Sequence, residues 1–358
     1  MTASSSLKWR QQDRLLGDCH IPPAGVARDE PRVGNPKKPM GRLPTIDDSA
    51  MFGDRRPTML RQGIWALADP KISLASMAAL FLGTCAAAAV GPVHWAWLAA
   101  TVVGVYAVEV AKNASGEIFD FDSGTDLAVS AADRSPFSGG KRVMVDGLLS
   151  RTQTKRIAAT AYIVATLIGL TIVALREMAV LWLGLVGIGF AYFYHAPPLK
   201  LSYRGLGEVT VAASYGPLLC SGTYLVQRGS ISAEVILLSL PLGMLIGSFL
   251  LINEFPDWRA DKEASKRTLV VRWGRSVASR VFVLTISTAI LLLMLLPYLS
   301  AIPSTVWLAL VAVPSAVFAV LRLMANPADT GLVVPAQASS LLTFVLYALG
   351  AGIGVLVG

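Results

Sequence analysis

The chain is short of charge. Asp, Glu, Lys and Arg make up 15% of its 358 residues, where soluble domains average about 25%. Histidine is scarcer still: His20, His94 and His195 lie far apart and offer no histidine-based metal site. The three cysteines, Cys19, Cys85 and Cys220, form no CxxC pair and no even set, which argues against a disulfide framework and a zinc site. What the chain has in excess is apolar. Hydrophobic residues reach 54% and the mean hydropathy is +0.58. These values exclude a disordered chain, a nucleic-acid module and an ordinary soluble enzyme, and indicate a polytopic membrane protein.

The first 70 residues are unlike the rest. They are polar and rich in Pro and Gly, and the chain up to Lys71 holds 12 of the 31 Lys and Arg. No apolar run follows the start, so a cleaved signal peptide is not expected. The eight acidic residues there argue against a transit peptide. A disordered or interfacial cytoplasmic tail is expected over 1–70, ahead of a nine-helix domain over 71–358. Arg55, Arg56 and Arg61, close to Trp65 and the first apolar run, are placed to meet anionic lipid. The adjacent pair Cys19-His20 does not by itself indicate a metal.

A helix needs about 20 apolar residues to cross a bilayer. Nine segments qualify, at roughly 72–91, 94–112, 156–175, 178–195, 208–226, 233–253, 278–299, 304–323 and 333–356. Beyond the tail, the connections after spans 2, 4, 6 and 8 carry 17 Lys and Arg, and the others only Arg176 and Arg228. By the positive-inside rule the N-terminus and the even-numbered connections are cytoplasmic and the C-terminus is outside. The expected fold class is all-α: a polytopic membrane bundle of nine transmembrane helices with Asp-rich cytoplasmic loops after helices 2 and 6. Gly243 and Gly247, and Gly350, Gly354 and Gly358, recur every four residues inside apolar helices, which indicates close helix packing rather than nucleotide loops.

The carboxylates are concentrated. Seven lie between 109 and 146 (Glu109, Glu117, Asp120, Asp122, Asp126, Asp133, Asp146), and Glu254, Asp257, Asp261 and Glu263 form a second group. Loops beside an anionic leaflet favour bases, so two acidic clusters there call for a function. If the second span continues as helix, Asn113, Glu117 and Asp120 share one face. Ser123-Gly124 would break that helix and fold Asp126 back. Asn253, Asp257 and Asp261 are spaced i, i+4, i+8, again one face, and Pro256 would kink the helix beneath them. Two such faces on one side of the membrane suit a hard cation such as Mg²⁺. Lys266 and Arg267 follow the second cluster, and Lys200 and Arg204 lie after the fourth span. Carboxylates for metal beside cations for phosphate are what binding a diphosphate requires. A site of this kind opening into an apolar bundle implies a lipid-tailed diphosphate.

These residues resemble the UbiA superfamily of intramembrane prenyltransferases, which have nine transmembrane helices and two Asp-rich motifs. Glu117, Asp120 and Asp126 resemble the acidic positions of the first motif. Gly116 stands where the family usually has Asn and Glu117 where it has the first Asp, with Asn113 one turn earlier. Asn253, Asp257 and Asp261, followed by Lys266-Arg267-Thr268, resemble the second motif. The stretches 119–126 and 253–272 look most like the 1,4-dihydroxy-2-naphthoate polyprenyltransferase branch. The resemblance covers about residues 60–358. It implies two Mg²⁺ ions bridging a prenyl diphosphate, held by Glu117, Asp120 and Asp126 on one side and by Asp257 and Asp261 on the other. Asn113, Lys200, Tyr203, Arg204, Asn253, Lys266 and Arg267 would bind the diphosphate. Asp120, Asp126, Asp257 and Asp261 would be the catalytic set. The partners implied are a prenyl diphosphate, an aromatic acceptor and the bilayer, in a bacterial cytoplasmic membrane. No nucleic acid is expected, and self-association is left open. Transfer to 4-hydroxybenzoate, homogentisate, a chlorin or a carotenoid is the alternative within the superfamily.

Other polar residues carry two readings. Asp122 and Asp133 are candidates for the final proton acceptor. Tyr194, Tyr203 and Tyr215 suit an aromatic belt at the interface. Glu208 suits a helix N-terminal charge, and Glu109 and Lys112 suit a mutual i, i+3 pair. Arg134, Lys141 and Arg142 lie in a loop that could close over the diphosphate. A phosphatidyl-alcohol transferase would have a single long Asp motif and fewer spans. A transporter would have internal repeats and polar residues near mid-span.

Overall fold

The computed structural model describes residues 56–69, 73–131 and 133–358, all within the unit Phe52–Gly358. The Cys19-His20 pair, Arg55 and most of the expected tail lie outside the described residues. Among those described, the regular elements are all helical. In chain order they are α1 (Arg56–Ala68), α2 (Ser73–Val90), α3 (Trp95–Ser123), α4 (Thr125–Ala128), α5 (Arg151–Leu175), α6 (Val180–Phe193), α7 (Gly207–Ala213), α8 (Leu219–Arg228), α9 (Ala233–Glu263), α10 (Leu269–Leu299), α11 (Val313–Ala325) and α12 (Thr330–Val357). The end of the expected tail is thus a helix, α1.

Among the described residues, eight helical stretches are long and apolar enough to cross a membrane. The segment expected at 178–195 is α6, which is apolar throughout but only 14 residues long. The fifth span, Gly207–Arg228, is interrupted between α7 and α8 by a π-helical turn at Ser214–Leu218, where Gly216 leaves helical geometry and Pro217 lacks an amide hydrogen. The eighth begins as 3₁₀ helix, Ser304–Ala312, and becomes α11.

Helices start and stop where backbone groups find substitutes. Ser150 and Gln153 form a reciprocal cap at the start of α5. Thr268 caps α10 by accepting from the Val271 amide, and Ser232 caps α9 through the Val235 amide. Two helices run well past their apolar segments. α3 has 29 residues and α9 has 31, about 44 and 47 Å at 1.5 Å per residue. Nothing in 113–122 breaks the helix, so hydrogen bonding carries it out of the apolar layer until Gly124, whose φ of 82° ends it. α9 remains one helix through Pro241 and Pro256.

The last four helices pack densely. Leu242 and Ile246 of α9, Phe282 of α10 and Phe344 of α12 are fully enclosed. The glycine row of α12 makes this possible: a Cβ on Gly350 would stand 2.5 Å from the Ala309 backbone, so packing is what the row serves. α3 and α5 are more open. Of the most apolar stretch of α9, 72% is buried in the bundle, against 11% for α3. The faces that α3, α5 and α6 leave open turn partly toward an internal cavity.

Candidate active site

The cavity has a volume of about 910 Å³. Its deeper walls are apolar, from residues such as Ile168, Val173, Ile188 and Leu218. Its polar end lies where α3 and α9 emerge together. Both acidic faces meet there. On α3, Asn113, Glu117 and Asp120 line the opening, and the turn at Gly124 brings Asp126 of α4 back beside them, 3% exposed. From α9 come Asn253, Asp257 and Asp261. The helical spacing expected from the sequence is realised on both sides.

Lys266 joins the two faces. Its Nζ lies 3.7 Å from Asp120 Oδ2 and 3.9 Å from Asp261 Oδ1. Burial works against its charge, yet these carboxylates hold the ammonium well above the usual lysine range. The Tyr203 hydroxyl donates to Asp120 Oδ1 at 2.6 Å. Burial and the neighbouring Asp120 charge keep this phenol protonated, far above its ordinary pKa.

A loop spans the gap between the faces from above. The Gly139 amide donates to Asp257 Oδ2 at 3.1 Å. Arg142 Nη1 donates to the Asp126 carbonyl at 2.6 Å, and Lys141 pairs with Asp69. Gly140 lies against the Asp126 carboxylate with a φ of 74°, so any side chain there would be strained and would collide with it.

The donor set fits a hard cation. Asp126 Oδ2, Asp257 Oδ1 and Asn253 Oδ1 are buried without a hydrogen-bond partner, an arrangement that is costly unless something else fills it. Burial, with the charges of Asp120 and Glu117 close by, pushes the Asp126 carboxyl up to about 8, a strain that a cation would relieve. Among the described residues no three His, Cys, Asp or Glu side chains converge on one point. The carboxylates ring the opening instead, as suits Mg²⁺, which keeps water and phosphate oxygens among its ligands.

Some of the expected residues are engaged by the protein's own backbone, and others lie away from the opening. Glu117 borders the cavity, but its Oε1 accepts from the Met144 amide at 3.0 Å, and so anchors the loop. Asn113 donates to the Leu67 carbonyl at 2.8 Å, tying α1 to α3. Lys200 lies over the Tyr203 ring. Arg204 donates to the Pro198 carbonyl, Arg267 is exposed, and none of these three cations lines the cavity. Asp122 pairs with Arg151 and Asp133 accepts from Ser130, both outside the cavity. Tyr215 is no interfacial anchor, since it bonds Glu109 inside the bundle. Glu208 stands in the first turn of α7, as expected for a helix N-terminal acid, and is buried there beside Glu254.

Two features escaped the sequence reading. His195 Nε2 lies 3.6 Å from Asp120 Oδ2, and the ring occupies the space beside Gly116: a Cβ there would stand 2.6 Å from the imidazole. The glycine that breaks the usual first-motif pattern is therefore the complement of this histidine. The second is the part played by Gly139 and Gly140 within the loop expected to close over the diphosphate: the Gly139 amide meets Asp257, and Gly140 leaves room for the Asp126 carboxylate.

Comparison with known proteins agrees with this geometry. The chain is 26% identical over 296 residues to the 1,4-dihydroxy-2-naphthoate octaprenyltransferase of Bacillus subtilis, a match covering 83% of this chain and 93% of that protein. It is 29% identical over 232 residues to the enzyme of that name from Escherichia coli K12, covering 62% and 75%. Among solved structures, a UbiA homologue from Archaeoglobus fulgidus bound to DMAPP and Mg²⁺ superposes with a TM-score of 0.59 at 12% identity, over 82% of this chain and 99% of that one. A digeranylgeranylglyceryl phosphate synthase gives 0.59 at 14%, over 85% and 100%. Such identities establish a shared fold. A model of the UbiA prenyltransferase family matches residues 76–331, which include both acidic faces and most of the cavity lining, and the chain belongs to that family.

Proposed function

We propose that the protein is an Mg²⁺-dependent intramembrane prenyltransferase that moves a polyprenyl group from its diphosphate to 1,4-dihydroxy-2-naphthoate, on the route to menaquinone. The observation that carries this reading is the pairing of two facing acidic helices, joined by Lys266, with an apolar cavity of about 910 Å³. The acceptor follows from the relatives' names.

Asp120 and Asp126 would hold one ion and Asp257 and Asp261 a second, with Asn253 supporting them. Bound Mg²⁺ would neutralise charge on the diphosphate as it departs. Lys266, already between the faces, meets the leaving oxygens and stabilises their developing charge. Tyr203 fixes the Asp120 carboxylate by its hydrogen bond. The apolar walls receive the prenyl chain and exclude water from the allylic cation. The C–O bond to diphosphate breaks first, the acceptor's electron-rich ring carbon then attacks the allylic cation to form the new C–C bond, and the ring regains aromaticity by losing CO₂ from the carboxylated acceptor or a proton from an acceptor without a carboxylate.

By the same reading α6 completes a ninth crossing, the acidic ends face the cytoplasm and the C-terminus lies outside. A basic tail over 1–70 would precede the catalytic domain over 71–358.

The test is a product assay. Purified protein in detergent receives Mg²⁺, a polyprenyl diphosphate and 1,4-dihydroxy-2-naphthoate, 4-hydroxybenzoate or homogentisate in turn. A prenylated naphthalene product that disappears with EDTA supports the reading. Product only from another arene moves the acceptor. Failure to bind prenyl diphosphate at all overturns the prenyltransferase assignment.

A further inference from the structure

Deeper in the cavity than the acidic opening lies a second polar group that diphosphate binding does not use. Ser76 of α2, Glu109 and Lys112 of α3, and Tyr215 of the π-helical turn all line the cavity. Lys112 precedes Glu117 by five residues and Asp120 by eight, about 7.5 and 12 Å along the helix axis. That places it deeper in the cavity than the acidic opening, toward the apolar walls.

Glu109 and Lys112 are spaced to pair directly on α3, but they do not. The Tyr215 hydroxyl stands between them. It donates to Glu109 Oε1 at 3.1 Å and accepts from Lys112 Nζ at 3.3 Å. The Ser76 hydroxyl donates to the same Oε1. Glu109 is 4% exposed, and its Oε2 has no partner. Lys112 has three hydrogens to donate, of which the structure commits one to a hydrogen bond, with Tyr215. Ionisable side chains at this depth are expensive and mark functional sites in membrane helices. A merely structural pair would be closed. This one is held open by a third side chain and faces the cavity with Glu109 Oε2 unpartnered and only one Lys112 hydrogen bond made.

We infer that Ser76, Glu109, Lys112 and Tyr215 form the binding subsite for the acceptor, which is a hydroxylated aromatic carboxylate. Lys112 takes the carboxylate, and Glu109 Oε2 accepts the hydrogen bond of a ring hydroxyl. The hydroxyl's electrons then enrich the ring carbon that faces the allylic carbon. Tyr215 and Ser76 hold Glu109 in place. This deepens the proposed function and rests on it.

The experiment compares 1,4-dihydroxy-2-naphthoate with 1,4-dihydroxynaphthalene, which lacks the carboxylate. It is run in the wild type and in Lys112→Met, which keeps most of the side chain's length without the charge. KM for each arene and for the prenyl diphosphate is measured, together with equilibrium binding of each arene without prenyl diphosphate. The expected result in Lys112→Met is a tenfold or larger rise in KM and Kd for the carboxylated arene. The des-carboxy arene and the prenyl diphosphate should stay within twofold. Tyr215→Phe, as a second variant, should weaken both arenes while leaving the prenyl diphosphate KM unchanged. An unchanged preference for the carboxylate in Lys112→Met, or equal losses for all three substrates, overturns the subsite. If the wild type makes no product, the proposed function fails on its own account, and the binding comparison still decides whether Lys112 selects the carboxylate.

Discussion

The two acidic faces do one job with different construction. The second lies on a single helix: Asn253, Asp257 and Asp261 ride on α9, the most enclosed of the long helices. Their spacing is fixed by helical geometry and their backbone by dense packing against α10 and α12. The first face is assembled from parts. Asp120 sits on α3, Asp126 arrives through a left-handed turn at Gly124, and the 139–144 loop, His195 and Tyr203 hold the set together. A face on one packed helix tolerates change around it. A face assembled from four segments depends on each joint, and it is there that this chain departs from the usual family pattern.

The largest effects should come from the second face and from the metal. Asp257→Ala and Asp261→Ala, like EDTA with the wild type, should each lower kcat/KM by about 10³-fold or more, roughly 4 kcal/mol, without altering far-UV circular dichroism. A thermal melt should show little loss, because buried like charges are being removed. If either alanine variant kept more than a tenth of wild-type activity, the second face would not hold the metal.

Next is Lys266→Ala, which removes the cation common to both faces. One lost charge-stabilising donor costs about 10²–10³-fold in kcat, and inorganic diphosphate should inhibit the variant more weakly. Lys266→Arg should restore only part, since a planar fork cannot replace a point charge between two carboxylates.

The joints of the first face should show intermediate losses. Gly116→Asn restores the family's usual residue but collides with His195, so about tenfold lower activity is expected, of the order of 1.4 kcal/mol. Gly116→Asn combined with His195→Ala should recover much of it. Independent losses for the two changes would break the complement. Gly140→Val should raise the Mg²⁺ concentration for half-maximal rate, because the side chain presses on Asp126. The smallest effects belong to Arg204→Ala and Arg267→Ala, each within about threefold. Their side chains are exposed and outside the cavity, and exposed charges contribute about 0–1 kcal/mol.

Much of this was legible in the chain. Apolar runs marked the crossings, and i, i+4 spacing put each set of acids on one face before any contact was known. The break at Ser123-Gly124 and the return of Asp126 followed from the glycine alone. Less legible was which cations count. Lys266 and Arg267 are neighbours in sequence and follow the turn at Ser265, whose φ is 58°, but one points between the faces and the other is exposed. Glu109 and Lys112 read as a closed pair because helical spacing allows it. Tyr215, 103 residues from Lys112, opens it.

The sequence by itself determined the membrane class, the all-helical architecture and the two acidic faces. Those properties come from composition and local periodicity, which solvent and the helix repeat impose segment by segment. Tertiary structure alone decided that Gly139 meets Asp257, that Tyr203 holds Asp120, and that His195 fills the space left by Gly116. These partners are 118, 83 and 79 residues apart. Contacts across such separations depend on how whole helices pack, and no local pattern in the chain encodes them.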